Sequence, residues 1–293
     1  MLRPFLAIFC LLILGNLLPA QPLPALRWEA DRFEAWEGQL IRLRLIASEP
    51  AASQWSLDPI SREYLETYLM DQGFLILSIP QAILPEGVPI DQQQIWWEGF
   101  VYHLKAGDYK VGEQLSISLL WNEDSTRQVP QASEVLSLRI NTLPSTQLLN
   151  AECVGEFQVS YGFSKSKRKV TGSLNQPVYL TGEVFVLAIR VEGNGNVALA
   201  PPPLISVPDS FLISDPISSV SWDWQKGQLW GQKTFQYEFQ GAYQGKYRIG
   251  PIKFHHFAPS TSSYKTVHND ALPLILTGKN IPQLLSVNKL NRF

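Results

Sequence analysis

The chain has 293 residues, of which 45% are hydrophobic, 11% aromatic and only 17% charged, and its formal net charge is -2. This composition excludes a disordered chain, a disulfide-stapled miniprotein, a zinc-ribbon array and a coiled coil, and the charge provides no electrostatic footprint for nucleic acid. The length is sufficient for one large domain or for two of ordinary size.

The N-terminal segment has the pattern of a secretory signal peptide. Arg3 supplies a positive charge, residues 5–18 are apolar apart from a Gly-Asn pair, and Ala20 offers a cleavage site. As a helix, the apolar stretch would rise about 21 Å, against about 30 Å for the hydrocarbon core of a bilayer. We therefore predict that residues 1–20 are a cleavable signal peptide, with a retained anchor as the alternative.

Most of the remaining chain is predicted to form short strands. Apolar and polar residues alternate at 40–45, 234–240 and 246–249, which is typical of half-buried antiparallel strands, and recurrent Gly and Pro separate the runs. The exception begins at Asp58-Pro59, where the spacing of apolar residues predicts a short helix. Trp96-Trp97 opens a predicted strand, so one ring is expected in the core and the other outside.

The sequence contains an internal duplication. Residues 36–43 resemble residues 180–187, and residues 107–112 resemble residues 245–250, at nearly the same offset. Each copy has a Gly turn before an early strand and a Gly-x-Tyr-basic-aliphatic-Gly strand later on. We therefore predict an all-β chain with the following parts: a first Ig-like β-sandwich at 26–141, a linker at 142–153, a second Ig-like β-sandwich at 154–278 and a tail at 279–293.

An ordered set of motifs in the second half is more specific than any one of them. The set comprises Gly182-Glu183, Glu192-Gly193-Asn194-Gly195-Asn196-Val197, Pro208-Asp209-Ser210-Phe211, Asp215-Pro216 and Gly245-Lys246-Tyr247-Arg248-Ile249-Gly250-Pro251. Through these motifs the second half resembles the BatD proteins, the oxygen-tolerance (aerotolerance) family of bacterial Bat operons. The first half resembles that family more loosely.

The resemblance implies a non-catalytic, extracytoplasmic interaction or scaffold module of a Bat-type oxidative-stress tolerance system. It also implies envelope proteins as partners, among them von Willebrand A-type and tetratricopeptide-repeat Bat proteins. Family members usually continue into a transmembrane helix, whereas this sequence ends at Phe293 without one. We therefore expect a periplasmic chain, with peripheral membrane association left open.

The sequence has no pattern typical of a catalytic, cofactor or metal site. The four histidines are His103, His255, His256 and His268, and the adjacent pair should point to opposite faces of a strand, which does not favour a shared metal. After removal of the signal peptide one cysteine remains, Cys153, which we interpret as a small buried residue. We therefore predict no enzyme activity and no cofactor.

Five residues are candidates for contact with a partner: Trp222, Trp224, Trp230, Asp209 and Asp215. The three tryptophans flank a polar turn, and they have three interpretations: rings that cover a sheet, a partner-binding patch, or a platform for sugar stacking. The last makes a carbohydrate-binding envelope protein the alternative function. Either aspartate could complete the metal site of a von Willebrand A partner. The basic run at 165–169 is interpreted as a solvated loop or as a contact for an acidic partner.

Overall fold

A computed structural model describes residues 23–48, 54–77, 79, 93–122, 124–147, 153–164 and 176–286. The predicted signal peptide at 1–20 and the basic run at 165–169 lie outside these residues.

The first half forms helix α1 (Pro59–Asp71) and strands β1 (Leu26–Ala30), β2 (Glu34–Trp36), β3 (Ile41–Ser48), β4 (Trp55–Leu57), β5 (Leu75–Leu77), β6 (Gln93–Tyr102), β7 (Gly107–Val111), β8 (Ser116–Trp121), β9 (Asp124–Ala132) and β10 (Leu136–Asn141). The second half forms helix α2 (Gln283–Ser286) and strands β11 (Gly155–Phe163), β12 (Val178–Leu180), β13 (Val184–Gly195), β14 (Leu204–Ile205), β15 (Phe211–Ile213), β16 (Ile217–Gln225), β17 (Gln228–Gly241), β18 (Gly245–Ile249), β19 (Ile252–Ala258), β20 (Ser263–Asn269) and β21 (Leu272–Thr277).

The strand order of the first half is that of an Ig-like sandwich. One sheet has the order β1-β3-β6-β5, and the facing strands have the orders β2-β10-β7 and β4-β8-β9. The chain changes sheet between β1 and β2, because β1 is antiparallel to β3 whereas β2 is parallel to β10. Apart from this parallel pair, the strands named here are antiparallel.

The second half repeats this topology, with β16 as one additional strand. Its larger sheet has the order β11-β13-β17-β15, with β16 also paired to β17, and its facing strands have the orders β12-β21-β18 and β14-β19-β20. Strand β12 is again parallel to the last strand, β21. The predicted all-β class, with two Ig-like antiparallel β-sandwiches, is confirmed.

Each sandwich has its own apolar core. One cluster of buried side chains runs from Leu26 to Ile140, and the other from Cys153 to Leu276. Trp97 lies in the first core at 3% exposure. Trp96, which lies at a register shift between β3 and β6, is partly buried and packs against the same core, so the prediction that one ring lies outside is not confirmed.

Helix α1 begins where the sequence predicted it. The Asp58 carboxylate accepts a hydrogen bond from the Ser61 backbone N–H at 3.3 Å, and Pro59 occupies the first turn, where its missing N–H removes no helical hydrogen bond. Leu65 and Leu69 are buried against the first core, which explains why the helix packs on the sandwich.

The duplicated turn before β3 and β13 has the same hydrogen bonds in both halves. Gly38 and Gly182 have φ of 77° and 78°, a left-handed conformation that glycine adopts without the steric cost of a Cβ atom. The N–H of Gly38 donates to the His103 carbonyl at 2.8 Å, and the N–H of Gly182 donates to the Gly241 carbonyl at 2.9 Å.

The second duplicated motif forms a tyrosine corner in each sandwich. The Tyr109 hydroxyl donates to the Lys105 carbonyl at 2.9 Å, and the Tyr247 hydroxyl donates to the Tyr243 carbonyl at 3.0 Å. A tyrosine that bonds back to the backbone a few residues upstream is a hallmark of Ig-like sandwiches. The repeated sequence thus encodes a repeated structural device.

Candidate functional site: the junction between the two sandwiches

The two sandwiches meet at a junction to which the β16–β17 hairpin contributes its tip. A two-residue turn joins the strands, since Gln225 pairs with Gln228, and the turn residues Lys226 and Gly227 have φ of 51° and 80°. Positive φ at both central positions is typical of a type I′ turn, whose twist matches that of the flanking strands. The hairpin therefore extends as a regular ribbon beyond β13, whose pairing with β17 ends at Gly231.

The hairpin tip carries the apolar contact between the sandwiches. Leu229 is buried in a cluster with Leu40 and Phe100 of the first sandwich, and Trp222 and Trp224 pack against this cluster. The rings of Phe100 and Trp224 lie 6.2 Å apart in an edge-to-face arrangement, which is favourable for aromatic pairs.

A cation from the first sandwich completes this contact. The guanidinium carbon of Arg42 lies 4.7 Å from the centroid of the Trp224 ring, within the range of a cation–π interaction. Arg42 forms a salt bridge with Glu98, which also pairs with Arg44 at 3.1 Å. The Arg42 backbone N–H donates to the Asp31 carboxylate at 2.8 Å. The guanidinium is thus held in position from within the first sandwich.

A cleft of about 300 Å³ opens beside these residues. Its lining is Asp31, Arg32, Leu40, Arg42, Phe100, Asn194, Trp224, Gly227, Gln228 and Leu229. The cleft has an aromatic floor with charged and amide groups around it, and those polar groups bond to one another, as in the bond from the Asn194 amide to the Gln228 side chain at 2.6 Å.

The Gly-Asn-Gly-Asn segment at the end of β13 builds the second part of the junction. A Cβ atom at Gly195 would lie 2.5 Å from the Gly155 Cα, so only glycine permits this approach of β11 and β13. The next residue, Asn196, is fully buried, and its amide lies 3.4 Å from the Gly38 carbonyl in the first sandwich. The Asn196 Oδ1 has no hydrogen-bond partner among the described residues.

A third group of contacts lies beside the first residues of the linker. The rings of Trp36 and Phe257 lie 4.8 Å apart, and the Tyr264 hydroxyl donates to the Pro144 carbonyl at 2.8 Å. Glu37 bonds both to the Ala106 N–H at 2.9 Å and to the Leu143 N–H at 3.1 Å, which fixes the start of the linker on the first sandwich. The junction is therefore apolar at its centre and hydrogen-bonded at its borders.

Cys153 is buried at this junction. Its thiol lies 3.5 Å from the Asn196 carbonyl, and burial raises the pKa of the thiol well above its usual range. Nearby Lys233 donates to the carbonyls of Ala198 and Ala200 at 3.0 and 2.7 Å, and burial lowers the pKa of its ammonium. Since the thiolate is the reactive form, a raised pKa makes Cys153 an unreactive structural residue in the folded chain.

Three of the four histidines, His103, His255 and His256, are buried, and His268 is exposed. His103 and His256 are 6% and 1% exposed, and His256 lies against the rings of Phe157 and Phe254. Burial lowers the pKa of His256 to about 4. Its neighbour His255 points elsewhere and bonds to the Thr266 hydroxyl at 2.8 Å.

Among the described residues, no group of three or more His, Cys, Asp or Glu side chains is arranged to hold a metal ion. No helix among them is both long and apolar enough to cross a membrane.

The structure separates the five candidate residues. Trp222 and Trp224 lie together at the junction, while Trp230 pairs with Asp223 and so faces the opposite side of the hairpin. The partial burial of Trp222 has a local cause as well, because its ring covers Gly231, where a Cβ atom would lie 2.5 Å away. Asp209 and Asp215 are exposed, one before β15 and the other between β15 and β16.

Several residues of the junction were not predicted from the sequence. Arg42 and Phe100 lie in ordinary alternating strands, so nothing in their local pattern marks a contact with the second sandwich. Asn196 did carry a signal, since a Gly-Asn-Gly-Asn segment at the end of a strand is typical of a close backbone approach followed by a polar contact.

Comparison with solved structures gives only distant likenesses. The Escherichia coli adhesin FdeC is 12% identical over 88% of this chain and 65% of its own chain, with a TM-score of 0.21; this chain thus spans 65% of the matched FdeC chain. The D00-D0 domain of intimin is 13% identical over 86% and 100%, with a TM-score of 0.21. The type II cohesin dyad of the Acetivibrio cellulolyticus scaffoldin ScaA is 6% identical over 77% and 87%, with a TM-score of 0.17. Scores this low carry no argument about this chain.

Sequence comparison is more specific. No curated protein matches the chain. The family model described as "BatD DUF11 like domain" matches residues 173–274, which include β12 to β20 and part of β21. The match covers the Gly182 turn, the Gly-Asn-Gly-Asn segment, the β16–β17 hairpin and the second tyrosine corner. The resemblance to BatD proteins predicted from the sequence is thereby confirmed for the second half: residues 173–274 match the BatD domain.

Proposed function

We propose that the chain is a non-catalytic, extracytoplasmic protein-interaction module that acts as a scaffold in a Bat-type oxidative-stress tolerance system. The BatD domain supports the link to that system, and the signal peptide predicted at residues 1–20 supports export to the periplasm. The partners we propose are envelope proteins of the von Willebrand A and tetratricopeptide-repeat types.

The observation that carries the proposal is the junction. Trp224 under Arg42, Asn196 against Gly38, and Trp36 against Phe257 are three separate contacts between the same two sandwiches. Because these contacts involve three different parts of the second sandwich, the end of β13, the β16–β17 hairpin and β19, they restrain the relative orientation of the two domains. A fixed relative orientation is what a scaffold needs in order to present two surfaces to its partners at a constant angle.

The direct experiment is affinity purification of the tagged chain from native envelopes. We expect von Willebrand A-type or repeat-containing Bat proteins to co-purify with it. Recovery of the chain without any protein of these classes, under conditions that preserve other envelope complexes, would contradict the proposal.

The same purification tests the two candidate carboxylates. If Asp209 or Asp215 completes a metal site in a von Willebrand A partner, Asp209→Ala or Asp215→Ala should reduce recovery of that partner, and added EDTA should do the same to the unmodified chain. Unchanged recovery would exclude this role, and Asp270→Ala serves as the control at another exposed carboxylate.

The carbohydrate alternative requires rings that are free to stack on a sugar. Trp230 faces away from Trp222 and Trp224, and Trp224 lies under Arg42, so the three rings do not share one platform. We therefore prefer protein interaction. Titration with envelope oligosaccharides should leave the tryptophan fluorescence unchanged, whereas a saturable change would favour the alternative.

A further inference from the structure

Strands β15 and β16 form one edge of the larger sheet in the second sandwich. Both pair with the same side of β17, β15 along residues 239–241 and β16 along residues 228–236. Within the part of the chain that the structure describes, neither strand has a partner on its other side. We call this surface the β15–β16 edge.

The β16 portion lacks the features that normally protect an edge strand. Proteins block such edges with lysine, proline or bulges. Between Ile217 and Trp222 the sequence has neither a charged residue nor a proline, and the register against β17 shows no bulge. Residues 217–221 are all exposed, with Ile217 at 73% and Val220 at 41%. This strand is therefore open to pairing along its length.

The register identifies the backbone groups that are available. Gln225 and Gln228 flank a two-residue turn, so they form a hydrogen-bonded pair, and alternate residues of β16 from there direct their N–H and C=O groups away from β17. Trp224 belongs to the outward set, and its N–H is taken by the Asp223 carboxylate at 2.8 Å. The outward backbone N–H and C=O groups of Ser218, Val220 and Trp222 are therefore available to hydrogen-bond an added strand.

The charge of the edge indicates what that strand should carry. From Pro201 to Gln225 the chain has three acidic residues, Asp209, Asp215 and Asp223, and no lysine or arginine, and the first cation that follows is Lys226 in the hairpin turn. All three aspartates are exposed, and two of them bracket the uncharged stretch of β16. An approaching strand with basic ends would be attracted, and one with acidic ends would be repelled.

The same charges disfavour a second copy of the chain. Antiparallel pairing of two β16 strands about Ser219 would set Asp215 of each copy opposite Asp223 of the other. Like charges directly opposite in a sheet are destabilising. The edge is therefore better suited to a different, basic segment.

We propose that the β15–β16 edge binds an extended segment of a partner protein by strand addition. The segment has an uncharged, alternately apolar centre that pairs with residues 218–222 and Lys or Arg at its ends, near Asp215 and Asp223. This inference rests on the proposed function, because it names the surface by which the interaction module takes a partner.

The test uses synthetic peptides with an acetylated N-terminus and an amidated C-terminus, so it needs no Bat protein. The basic peptide KVSVTVK and the acidic peptide EVSVTVE are titrated against the full chain, with amide exchange read by NMR. KVSVTVK should slow exchange at Ser218, Val220 and Trp222 at least about tenfold and bind at least about fivefold more tightly than EVSVTVE. Equal binding of the two peptides, or absence of protection at these three amides, would overturn the proposal.

A proline substitution separates strand addition from nonspecific attraction. Val220→Pro removes an outward N–H and leaves the pairing with β17 intact, so the fold should persist while KVSVTVK binding falls at least about tenfold. Val220→Thr keeps the N–H and should bind like the unmodified chain. If Val220→Pro is folded and binds normally, the proposal is wrong. Peptide binding without recovered envelope partners would contradict the proposed function but support this surface.

Discussion

The guanidinium of Arg42 in the first sandwich lies 4.7 Å from the centroid of the Trp224 ring in the second. Arg42 lies near the start of β3, and Trp224 lies near the tip of the β16–β17 hairpin, 182 residues later in the sequence. Each partner is supported in its own domain, Arg42 by Glu98 and Trp224 by its place in the β16–β17 ribbon. The contact is thus one of three that couple the two sandwiches.

Removing the Trp224 ring should loosen the junction. Trp224→Ala deletes the cation–π contact and the aromatic contact with Phe100, and we expect the coupling between the sandwiches to weaken by about 1–3 kcal/mol. Small-angle X-ray scattering should report a wider range of shapes, and calorimetry should resolve two transitions. Trp230→Ala, on the opposite face of the hairpin, should change neither result. Identical behaviour of both variants would contradict the assigned role of Trp224.

Both duplicated glycine turns should lose stability on substitution by alanine, and at Gly182 a Cβ atom would in addition lie 2.7 Å from the Ile281 Cδ1. Gly38→Ala and Gly182→Ala each place a Cβ atom on a residue with φ near 77°, at an expected cost of about 1–2 kcal/mol in the free energy of unfolding. Chemical denaturation of both variants provides the measurement. A cost in only one half would show that the two turns are not equivalent, despite their matching hydrogen bonds.

Cys153 should be inert in the folded chain. Its thiol is fully buried and its pKa is raised, so a thiol reagent at pH 8 should label it only after unfolding. Labelling in native buffer and in denaturant, followed by mass spectrometry, checks this. Rapid labelling under native conditions would mean that the junction opens readily, or that this cysteine has a reactive role.

His256 should make the second sandwich sensitive to mild acid. Burial lowers its pKa to about 4 in the folded chain, below the ordinary value of 6.5, so the unfolded chain binds the proton first as pH falls. Its contribution to stability is present above pH 6.5 and is lost as the pH decreases toward 4, by roughly 3 kcal/mol.

The substitution His256→Phe isolates this effect. Titrating carboxylates are common to both proteins, so the difference in unfolding free energy between them reports mainly on His256. That difference should shift in favour of His256→Phe between pH 6.5 and 4. A difference that stays constant over this range would show that His256 is not held neutral in the folded state.

Local patterns in the sequence were sufficient for the architecture. Alternation in the strands, the Asp58-Pro59 helix start and the repeated glycine and tyrosine motifs each depend on neighbours within a few residues. Such signals predicted two Ig-like sandwiches and one helix in the first half, and the structure confirms them. The Gly-Asn-Gly-Asn segment and its flanking motifs likewise predicted the family.

The junction could not be predicted in the same way, because it depends on residues far apart in sequence. Trp222 and Trp224 share a face because they are two residues apart on one strand, but nothing local indicates that Arg42 and Phe100 cover that face. Trp230 was grouped with them because it is close in sequence, whereas the register of the hairpin turns it away. Partner binding at Trp222, Trp224, Trp230, Asp209 and Asp215 stays a prediction.

The most direct test of the central claim is photo-crosslinking from the β15–β16 edge in native cells. A crosslinkable residue in place of Ser219 should yield a discrete product with a von Willebrand A-type or repeat-containing Bat protein, and Val220→Pro should abolish that product. Two results would contradict the account. One is the absence of any crosslink to a Bat protein from position 219, and the other is the same crosslinked product when a folded chain also carries Val220→Pro.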